Sequence, residues 1–396
     1  MKLWQNTESL DSLIESFTTG LDPQLDMELI PYDCLGTIAH VKMLGSLGYL
    51  THNETESLVL CLEEIRDHHA AGHFHIHPDQ EDGHTAIECY LIEKLGDTGK
   101  KVHTGRSRND QVLTAIRLYE KDFLSELSTL LEKLISSMNI FATGAGSVPM
   151  PGYTHTRKAM PFSVAEWIGA TALALSDDQI MIQSTLELID RSPLGSGAGY
   201  GVPLPLDRQM TASLMGFSQV MDNPAHAQNS RGKLESRILN DCSMILLDLN
   251  RWASDIILFT LPEIGYFGLK ADLVTGSSIM PHKQNPDVLE LIRASYHQLN
   301  GYEWQMKALP ANLISGYHRD MQLTKEPLMR GLHLTRDVIA VSDRVIDGLV
   351  IHSAKLEESM TEELSSVRKA IELVKTGMPF RDAYHQISKD FRNNQG

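Results

Sequence analysis

Cysteine is scarce in this chain of 396 residues, which contains only four. They are Cys34, Cys61, Cys89 and Cys242. None forms a Cys-x-x-Cys pair, so the pattern excludes a disulfide-stapled secreted scaffold and favours buried thiols in a reducing compartment. No apolar run approaches the roughly 18–20 residues of a membrane span, and the first residues form no apolar signal region. These absences predict a soluble, cytoplasmic protein that does not bind membranes.

Basic residues are also few. The chain contains 35 Lys and Arg residues against 51 Asp and Glu residues, which gives a net charge of −16. This balance argues against a nucleic-acid-binding surface. It still permits small anionic substrates, which need only local positive charge. The hydrophobic fraction of 42% and the charged fraction of 22% are typical of globular proteins and exclude a largely disordered chain.

Long stretches without glycine or proline dominate the middle of the chain. Between Asp110 and Ala142 neither residue occurs, and apolar residues recur in steps of three and four. This periodicity predicts a helix about 50 Å long at ~1.5 Å per residue. Four further long helices are predicted over residues 161–190, 233–261, 286–309 and 325–352. The sequence therefore predicts an all-α fold with a bundle of five long helices.

Three regions of the chain differ in the length and polarity of their predicted helices, and we predict one domain for each region. They are an N-terminal helical domain over 1–103, a central long-helix domain over 104–353 and a C-terminal helical domain over 354–396. Several central helices are apolar on more than one face, as in the run from Met244 to Leu247. Such helices must be buried on all sides, which indicates that bundles from several subunits pack together as a homo-oligomer.

Polar loops beside the long helices are the candidate sites. Residues 275–286 combine Gly276, Ser277, Lys283 and Asn285 ahead of a predicted helix. Backbone amides at a helix start, aided by a lysine and an asparagine, are able to hold a carboxylate. The alternative is an ordinary polar surface turn.

Two other polar loops precede long helices. Residues 103–110 contain Arg106, Arg108 and Asn109, which suit an anion cradle, although Asn109 or Asp110 also suits a helix cap with solvated arginines. Residues 152–157 contain His155, which exchanges protons near neutral pH. A lone histidine is more often structural or solvated than catalytic.

Together these loops resemble the three signature regions of the fumarase/aspartase superfamily. Two motifs are similar to those of the argininosuccinate lyase branch. They are Thr-Gly-Arg-Ser-Arg-Asn-Asp over residues 104–110 and Gly-Ser-Ser-Ile-Met-Pro-x-Lys-x-Asn-Pro-Asp over residues 276–287. Further agreement lies over 81–85, 192–198 and 317–327. The resemblance extends from about Leu3 to Ala383, nearly the whole chain.

The resemblance implies a cofactor-free and metal-free anti-elimination, in which argininosuccinate splits reversibly into arginine and fumarate during arginine biosynthesis. It implies that Ser277 is the general base, that Lys283 neutralises developing charge, and that His155, hydrogen-bonded to Glu290, assists protonation of the departing nitrogen. The implied substrate-binding residues are His84, Ser107, Arg108, Asn109, Thr154, Asn285, Tyr317, Gln322 and Lys325. It also implies a homotetramer in which different subunits complete each site.

Departures from the family pattern leave alternatives open. Residues 5–8 read Gln-Asn-Thr-Glu in place of Gly-Gly-Arg-Phe, and the stretch 223–232 replaces the family's Asn-Ser-x-Asp-Ala-Val-Ser-Asp-Arg-Asp. The substrate is therefore argininosuccinate or, alternatively, an N-acylated argininosuccinate, adenylosuccinate or aspartate. A non-catalytic, crystallin-like scaffold protein is the other alternative. The chain ends soon after Ala383, where the family pattern continues with a further small helical region, so a truncated C-terminal domain is a further alternative.

Histidines are concentrated over residues 68–84, where six occur. His73, His75 and His77 alternate, so an exposed strand offers three imidazoles to Zn²⁺ or Ni²⁺. No cysteine or clustered carboxylate completes an obvious site. We therefore treat a metal centre here as an alternative hypothesis.

Overall fold

The computed structural model describes residues 11–77 and 79–393, so the unusual residues 5–8 and the last three positions lie outside the described part. Fifteen α-helices are found within it. Their bounds are α1 Ser12–Thr19, α2 Asp22–Ser46, α3 His52–Ala70, α4 Gly83–Leu95, α5 Asp97–Lys100, α6 Arg108–Ala145, α7 Val164–Ile189, α8 Arg208–Leu214, α9 Pro224–Asn229, α10 Lys233–Phe259, α11 Asp287–Ala308, α12 Lys325–Gly348, α13 Ser353–Glu358, α14 Ser366–Lys375 and α15 Phe380–Asn393. Short 3₁₀ helices span Lys101–His103, Ala271–Leu273, Arg319–Thr324 and Glu362–Ser365.

Strands are few and short in the same described residues, and they form four two-stranded sheets. Their bounds are β1 Pro149–Thr154, β2 Arg157–Ser163, β3 Arg191–Ser192, β4 Gln219–Val220, β5 Phe267–Leu269, β6 Thr275–Gly276, β7 Gln284–Asn285 and β8 Leu349–Ile351. β1 pairs with β2, β5 with β8 and β6 with β7 antiparallel, whereas β3 and β4 pair in parallel. The predicted all-α class is confirmed.

All five predicted long helices are present as α6, α7, α10, α11 and α12. Two boundaries were predicted wrongly. α7 begins at Val164 rather than Pro161, because residues 157–163 pair with β1 as a strand. α12 ends at Gly348 because Leu349–Ile351 pair with Phe267–Leu269. In both places strand pairing with another segment overrides local helix propensity.

The chain divides into two compact units, each assembled from three stretches. The first consists of Met1–Ser128, Met181–Ser243 and Leu299–Leu334, and the second of Thr129–Ile180, Met244–Gln298 and Thr335–Gly396. The predicted division at residues 103 and 353 stays a prediction. None of the described helices combines the length and the hydropathy that crossing a membrane requires.

Apolar packing of α2, α3 and α4 forms a core of the first unit. Its fully buried members include Ile30, Leu58, Leu62 and Leu91. α3 begins in a capping box, in which Thr51 accepts from the amide of Glu54 and the Glu54 carboxylate accepts from the amide of Thr51. This core supports the start of α2 and the start of α4, both of which border the candidate site described below.

Arg117 of α6 is completely buried with two carboxylates. Its guanidinium lies 3.1 Å from Glu120 and 3.6 Å from Glu235 on α10. Burial raises the pKa of Glu120 to about 8, with Arg117 opposing the shift and Glu235 adding to it. Glu120 therefore holds a proton in the folded chain at pH values at which the unfolded chain has lost it.

We expect this buried carboxyl to make stability fall as pH rises. A folded-state pKa of about 8 against 4.5 for the free group means that folding takes up a proton between those values. The free energy of unfolding should fall across this window by at most about 1.4 kcal/mol per pH unit from this group. Denaturant unfolding of Glu120→Gln at several pH values should show that this part of the slope is lost.

The matched control is Glu126→Gln, on the exposed side of the same helix. It should keep the slope of the wild-type protein. Equal slopes for wild type and Glu120→Gln would contradict a proton held at Glu120.

Candidate active site

A cavity of about 470 Å³ in the first unit contains seven of the residues predicted for substrate binding. They are His84, Ser107, Arg108, Asn109, Tyr317, Gln322 and Lys325. The remaining lining residues are Asp22, Asp82, His103, Arg106, Val112, Arg231 and Arg319. Residues that lie far apart in sequence therefore meet at one polar cavity.

Ser107 and Asn109 are placed by the first turn of α6. The Ser107 Oγ accepts a hydrogen bond from the amide of Asn109 at 3.2 Å, and the Asp110 carboxylate accepts from the amide of Ser107 at 3.0 Å. Ser107 therefore caps this helix, and the prediction of Asn109 or Asp110 as the cap is wrong. Asp110 is buried, and its other oxygen accepts from the amides of Gly195 and Gly197, both at 2.9 Å, which offsets the loss of solvation.

Arg108 contacts the start of α4. Its guanidinium donates to the Thr85 hydroxyl at 3.0 Å and lies 3.5 Å from Asp82 and 3.6 Å from Glu81. The helix-cap alternative predicted that Arg108 is solvated. These contacts instead hold its guanidinium against the cavity wall. Its position supports the anion-cradle interpretation of this loop.

His84 Nε2 lies 2.9 Å from the Asp82 carboxylate. Burial favours the neutral imidazole, but the charge of Asp82 outweighs burial and raises the pKa of His84. Burial likewise opposes the charged form of Asp82, yet His84 and Arg108 hold the pKa of that carboxyl well below its usual range. The two side chains form an imidazolium–carboxylate pair in the cavity wall.

His103 has the opposite protonation state. Burial, together with the charges of Arg106, His84 and Arg108, lowers its pKa to about 4. This imidazole is therefore neutral at pH 7. The same cations that keep it neutral favour an anionic ligand in this part of the cavity.

Lys325 is buried, with 3% of its side chain exposed, between two carboxylates of α2. Its Nζ lies 2.6 Å from Asp26 and 3.1 Å from Asp22. These carboxylates raise the pKa of Lys325 against the opposing effect of burial, so its ammonium stays charged.

The side-chain amide of Gln322 is hydrogen-bonded to backbone carbonyl groups. Its Nε2 donates to the carbonyls of Thr18 at 3.0 Å and Thr19 at 3.1 Å. Arg319 donates to the same Thr18 carbonyl at 2.7 Å and to Glu81 at 2.8 Å. Both side chains hold the turn that precedes α2.

Tyr317 faces the guanidinium of Arg231, whose Cζ lies 5.3 Å from the ring centroid. Arg231 is buried, and burial lowers its pKa. Sequence reasoning missed Arg231, Arg319 and Asp22 as cavity residues. The altered stretch 223–232 did draw attention to the surroundings of Arg231, but no sequence pattern distinguished Asp22.

The other six predicted residues belong to the second unit and do not line this cavity among the described residues. They are Thr154, His155, Ser277, Lys283, Asn285 and Glu290. β6 and β7 pair Thr275 with Asn285, so the Ser277–Lys283 loop connects two antiparallel strands. The Ser277 Oγ accepts from the amides of Ile279 at 3.4 Å and Met280 at 3.1 Å.

His155 sits at the tip of the β1–β2 hairpin. His155 and Thr156 have φ angles of 51° and 57°, and the flanking residues Thr154 and Arg157 pair with each other. Two left-handed residues form the tight turn that matches strand twist, although neither is glycine. The turn exposes the imidazole, and within the described part of this chain no hydrogen bond connects it to Glu290.

The histidine-rich segment forms no metal centre in the part of the chain that the structure covers. No group of three or more His, Cys, Asp or Glu side chains there is arranged to hold a metal ion. His69 instead lies within hydrogen-bond distance, 2.7 Å, of the Met27 carbonyl.

Comparison with known structures establishes the class of fold. An EDDS lyase variant with bound fumarate aligns with a TM-score of 0.82 and 22% identity, over 96% of this chain and 76% of that one. Class II fumarase from Schistosoma mansoni aligns with a TM-score of 0.79 and 16% identity, over 94% and 91% of the two chains. The fold is therefore that of the fumarase-type lyases, as predicted.

Sequence comparison is more specific. A family model described as "Lyase" matches residues 5–301. Argininosuccinate lyase of Thermotoga neapolitana is 47% identical over 390 residues, 98% of each chain. The enzyme of the same name from Sorangium cellulosum is 41% identical over 98% of this chain and 90% of its own. The chain belongs to the argininosuccinate lyase family, which confirms the predicted resemblance.

Proposed function

We propose that this lyase cleaves argininosuccinate reversibly to arginine and fumarate, in the cytoplasm and as a step of arginine biosynthesis. The observation that carries the proposal is the meeting of seven predicted substrate-binding residues at one cavity, in a chain 47% identical to an argininosuccinate lyase. The four cysteines are free thiols, which suits a reducing compartment.

The reaction requires removal of a weakly acidic C–H proton beside a carboxylate. In the proposed mechanism Ser277 takes that proton, and the electron pair is delocalised into the neighbouring carboxylate as an aci-carboxylate. Lys283 and Asn285 neutralise the charge that develops there. The carbanion then expels the guanidine nitrogen, and fumarate forms.

A serine hydroxyl serves as a base only when its alkoxide is stabilised. The two amide donors on the Ser277 Oγ supply part of that stabilisation. In this proposal His155 assists protonation of the departing nitrogen, and Glu290 becomes its hydrogen-bond partner in the assembled enzyme. Ser107, Arg108, Asn109 and Thr154 bind the carboxylates of the fumarate half.

We also propose that the active enzyme is a homotetramer in which different subunits contribute to each site. α7 carries an exposed apolar stripe that supports this arrangement. Leu173 is 71% exposed, Ile180 65% and Leu188 41%. Large apolar side chains repeated along one helix face are typical of a face that packs against another chain.

Fumarate release, followed by absorbance, tests the function. Argininosuccinate, adenylosuccinate, aspartate and malate are supplied in turn to the purified protein. We expect release from argininosuccinate alone. Release from aspartate or adenylosuccinate alone would overturn the substrate assignment, and no release from any of the four would favour a non-catalytic scaffold.

A further inference from the structure

The β1–β2 hairpin, which carries Thr154 and His155 near its tip, has a weak ladder below that tip. Pro151 of β1 lies opposite Pro161 of β2, and neither residue has a backbone N–H to donate. The register then shifts between Pro151 and Tyr153, which interrupts the regular pairing. Backbone pairing alone therefore does not fix the direction in which the tip points.

The turn at the tip also has to be held by its surroundings. His155 and Thr156 adopt left-handed backbone conformations, with φ angles of 51° and 57°, and neither is glycine. Residues with a Cβ atom rarely adopt this conformation, and it persists only where neighbouring contacts enforce it. The second residue pair from the turn, Tyr153 with Lys158, supplies such contacts.

Tyr153 anchors the first strand of the hairpin to an aromatic cluster. Its hydroxyl oxygen lies 2.8 Å from that of Tyr266, so the two side chains share a hydrogen bond. The ring centroid of Phe259 lies 6.0 Å from that of Tyr153 and 5.7 Å from that of Tyr266, which is buried. Burial and the bond to Tyr266 raise the pKa of Tyr153, so its hydroxyl stays protonated well above pH 7.

Lys158 anchors the second strand of the hairpin. Its ammonium donates to the carbonyl of Ser359 at 2.6 Å, at the C-terminal end of α13. Ser359 is buried, and its own amide donates to the carbonyls of Lys355 and Leu356 in that helix. The acceptor is therefore held in place, and a cation is favourable at the C-terminal end of a helix.

We propose that Tyr153 and Lys158 are positioning residues, which hold the imidazole of His155 in the orientation that protonation of the departing nitrogen requires. The two anchors act on opposite strands at the same residue pair, so the tip is held from both sides. The inference rests on the proposed function and adds to it two residues that act through His155.

Replacing Lys158 with methionine tests its anchor, because the variant keeps an unbranched apolar side chain and removes the ammonium. Lys158 is exposed, so the replacement leaves the core intact. We expect kcat for argininosuccinate to fall by about 10- to 100-fold, the effect of misplacing a reacting group by about 1 Å. The KM should rise by less than about threefold, because Ser107, Arg108 and Asn109 still bind the carboxylates in the proposed mechanism. Lys158→Arg retains a cationic donor and should recover most of kcat.

A double-mutant cycle tests the bond between Tyr153 and Tyr266. Tyr153→Phe and Tyr266→Phe each remove one hydroxyl and keep the ring, and each should lower kcat by about 3- to 10-fold. The double variant should be no slower than the single variants, because both replacements remove the same bond. Effects that multiply would show that the hydroxyls act separately and would overturn the role of Tyr153.

Isotope exchange distinguishes the positioning of His155 from general damage to the site. In D₂O the proton that Ser277 removes from carbon exchanges with solvent. A carbanion that is reprotonated before the C–N bond breaks then returns argininosuccinate with deuterium on carbon. If Lys158→Met slows only the protonation of the leaving nitrogen, deuterium in the remaining substrate should rise relative to fumarate release. Equal loss of exchange and cleavage would overturn the proposal.

Lys270→Met is the matched control. The ammonium of Lys270 also donates to a backbone carbonyl, that of Asp347 at 2.8 Å, but this acceptor lies at the end of α12 rather than beside the hairpin. The variant should leave kcat, the KM and the ratio of exchange to cleavage unchanged.

Amide hydrogen exchange over residues 153–158 measures the anchor without turnover. Lys158→Met should accelerate it, and Lys270→Met should not. Faster amide exchange with an unchanged kcat would overturn the positioning role while the proposed function stands, since the wild-type protein would still release fumarate. Unchanged amide exchange in Lys158→Met would overturn the anchor itself, whether or not the protein cleaves argininosuccinate.

Discussion

Replacing Ser277 with alanine is expected to lower kcat by about 10²- to 10⁴-fold, the range typical for loss of a general base. The variant lacks the oxygen that takes the proton from carbon, and no other hydroxyl occupies its place between the two amide donors. Steady-state fumarate release by the intact assembly measures the effect. The KM should change far less than kcat, because the proposed role of Ser277 lies in the transition state.

Ser278→Ala is the matched control, since Ser278 is the adjacent hydroxyl in the same exposed loop. It should keep most of the activity. An unchanged rate in Ser277→Ala, with the assembly and the helix content preserved, would remove the general base from the proposed mechanism. A loss of helix content in Ser277→Ala is not expected, because its hydrogen bonds stay within the loop.

Charges placed on the exposed stripe of α7 are expected to separate the subunits and to abolish turnover. Leu173 and Ile180 are seven residues apart, about two helical turns, so they lie on the same face. Leu173→Asp with Ile180→Asp would require burial of two carboxylates in an apolar interface, at several kcal/mol for each. Because each proposed site needs residues of different subunits, activity should fall with the loss of the assembly.

Light scattering after size exclusion, combined with fumarate release at the same protein concentration, measures both effects. Leu60→Asp is a suitable control, since Leu60 is 59% exposed on α3 and is not part of the α7 stripe. It should leave both the mass and the rate unchanged. A monomer with full activity would contradict shared sites.

The long helices follow from local sequence. A run from 110 to 142 without glycine or proline, with apolar residues every three or four positions, has few alternatives to a helix, and α6 spans Arg108–Ala145. The ends were less predictable. Pro161 suits a first helical position, yet its backbone pairs with Pro151 in β1, and that pairing is set by a segment ten residues away.

The cavity was predictable in part. The motif residues Ser107, Arg108 and Asn109 were identified because polar groups crowd a short loop before a long helix. Asp22 was not, because a single aspartate near a helix start is usually a surface residue. Asp22 lies beside Lys325, whose Nζ contacts Asp26 on the same helix from 299 residues away in sequence.

The sequence by itself determined the helical class, the positions of the polar loops and the family. Helical periodicity and sequence motifs are both set by residues that are close together in the chain. Only the tertiary structure decided which charges are paired. The ion partners of Lys325 and Arg108 come from other parts of the chain, and burial sets how strongly each pair interacts. The Coulomb energy of a pair depends on the distance between its charges and on the local dielectric constant. Neither quantity can be obtained from the amino-acid sequence alone.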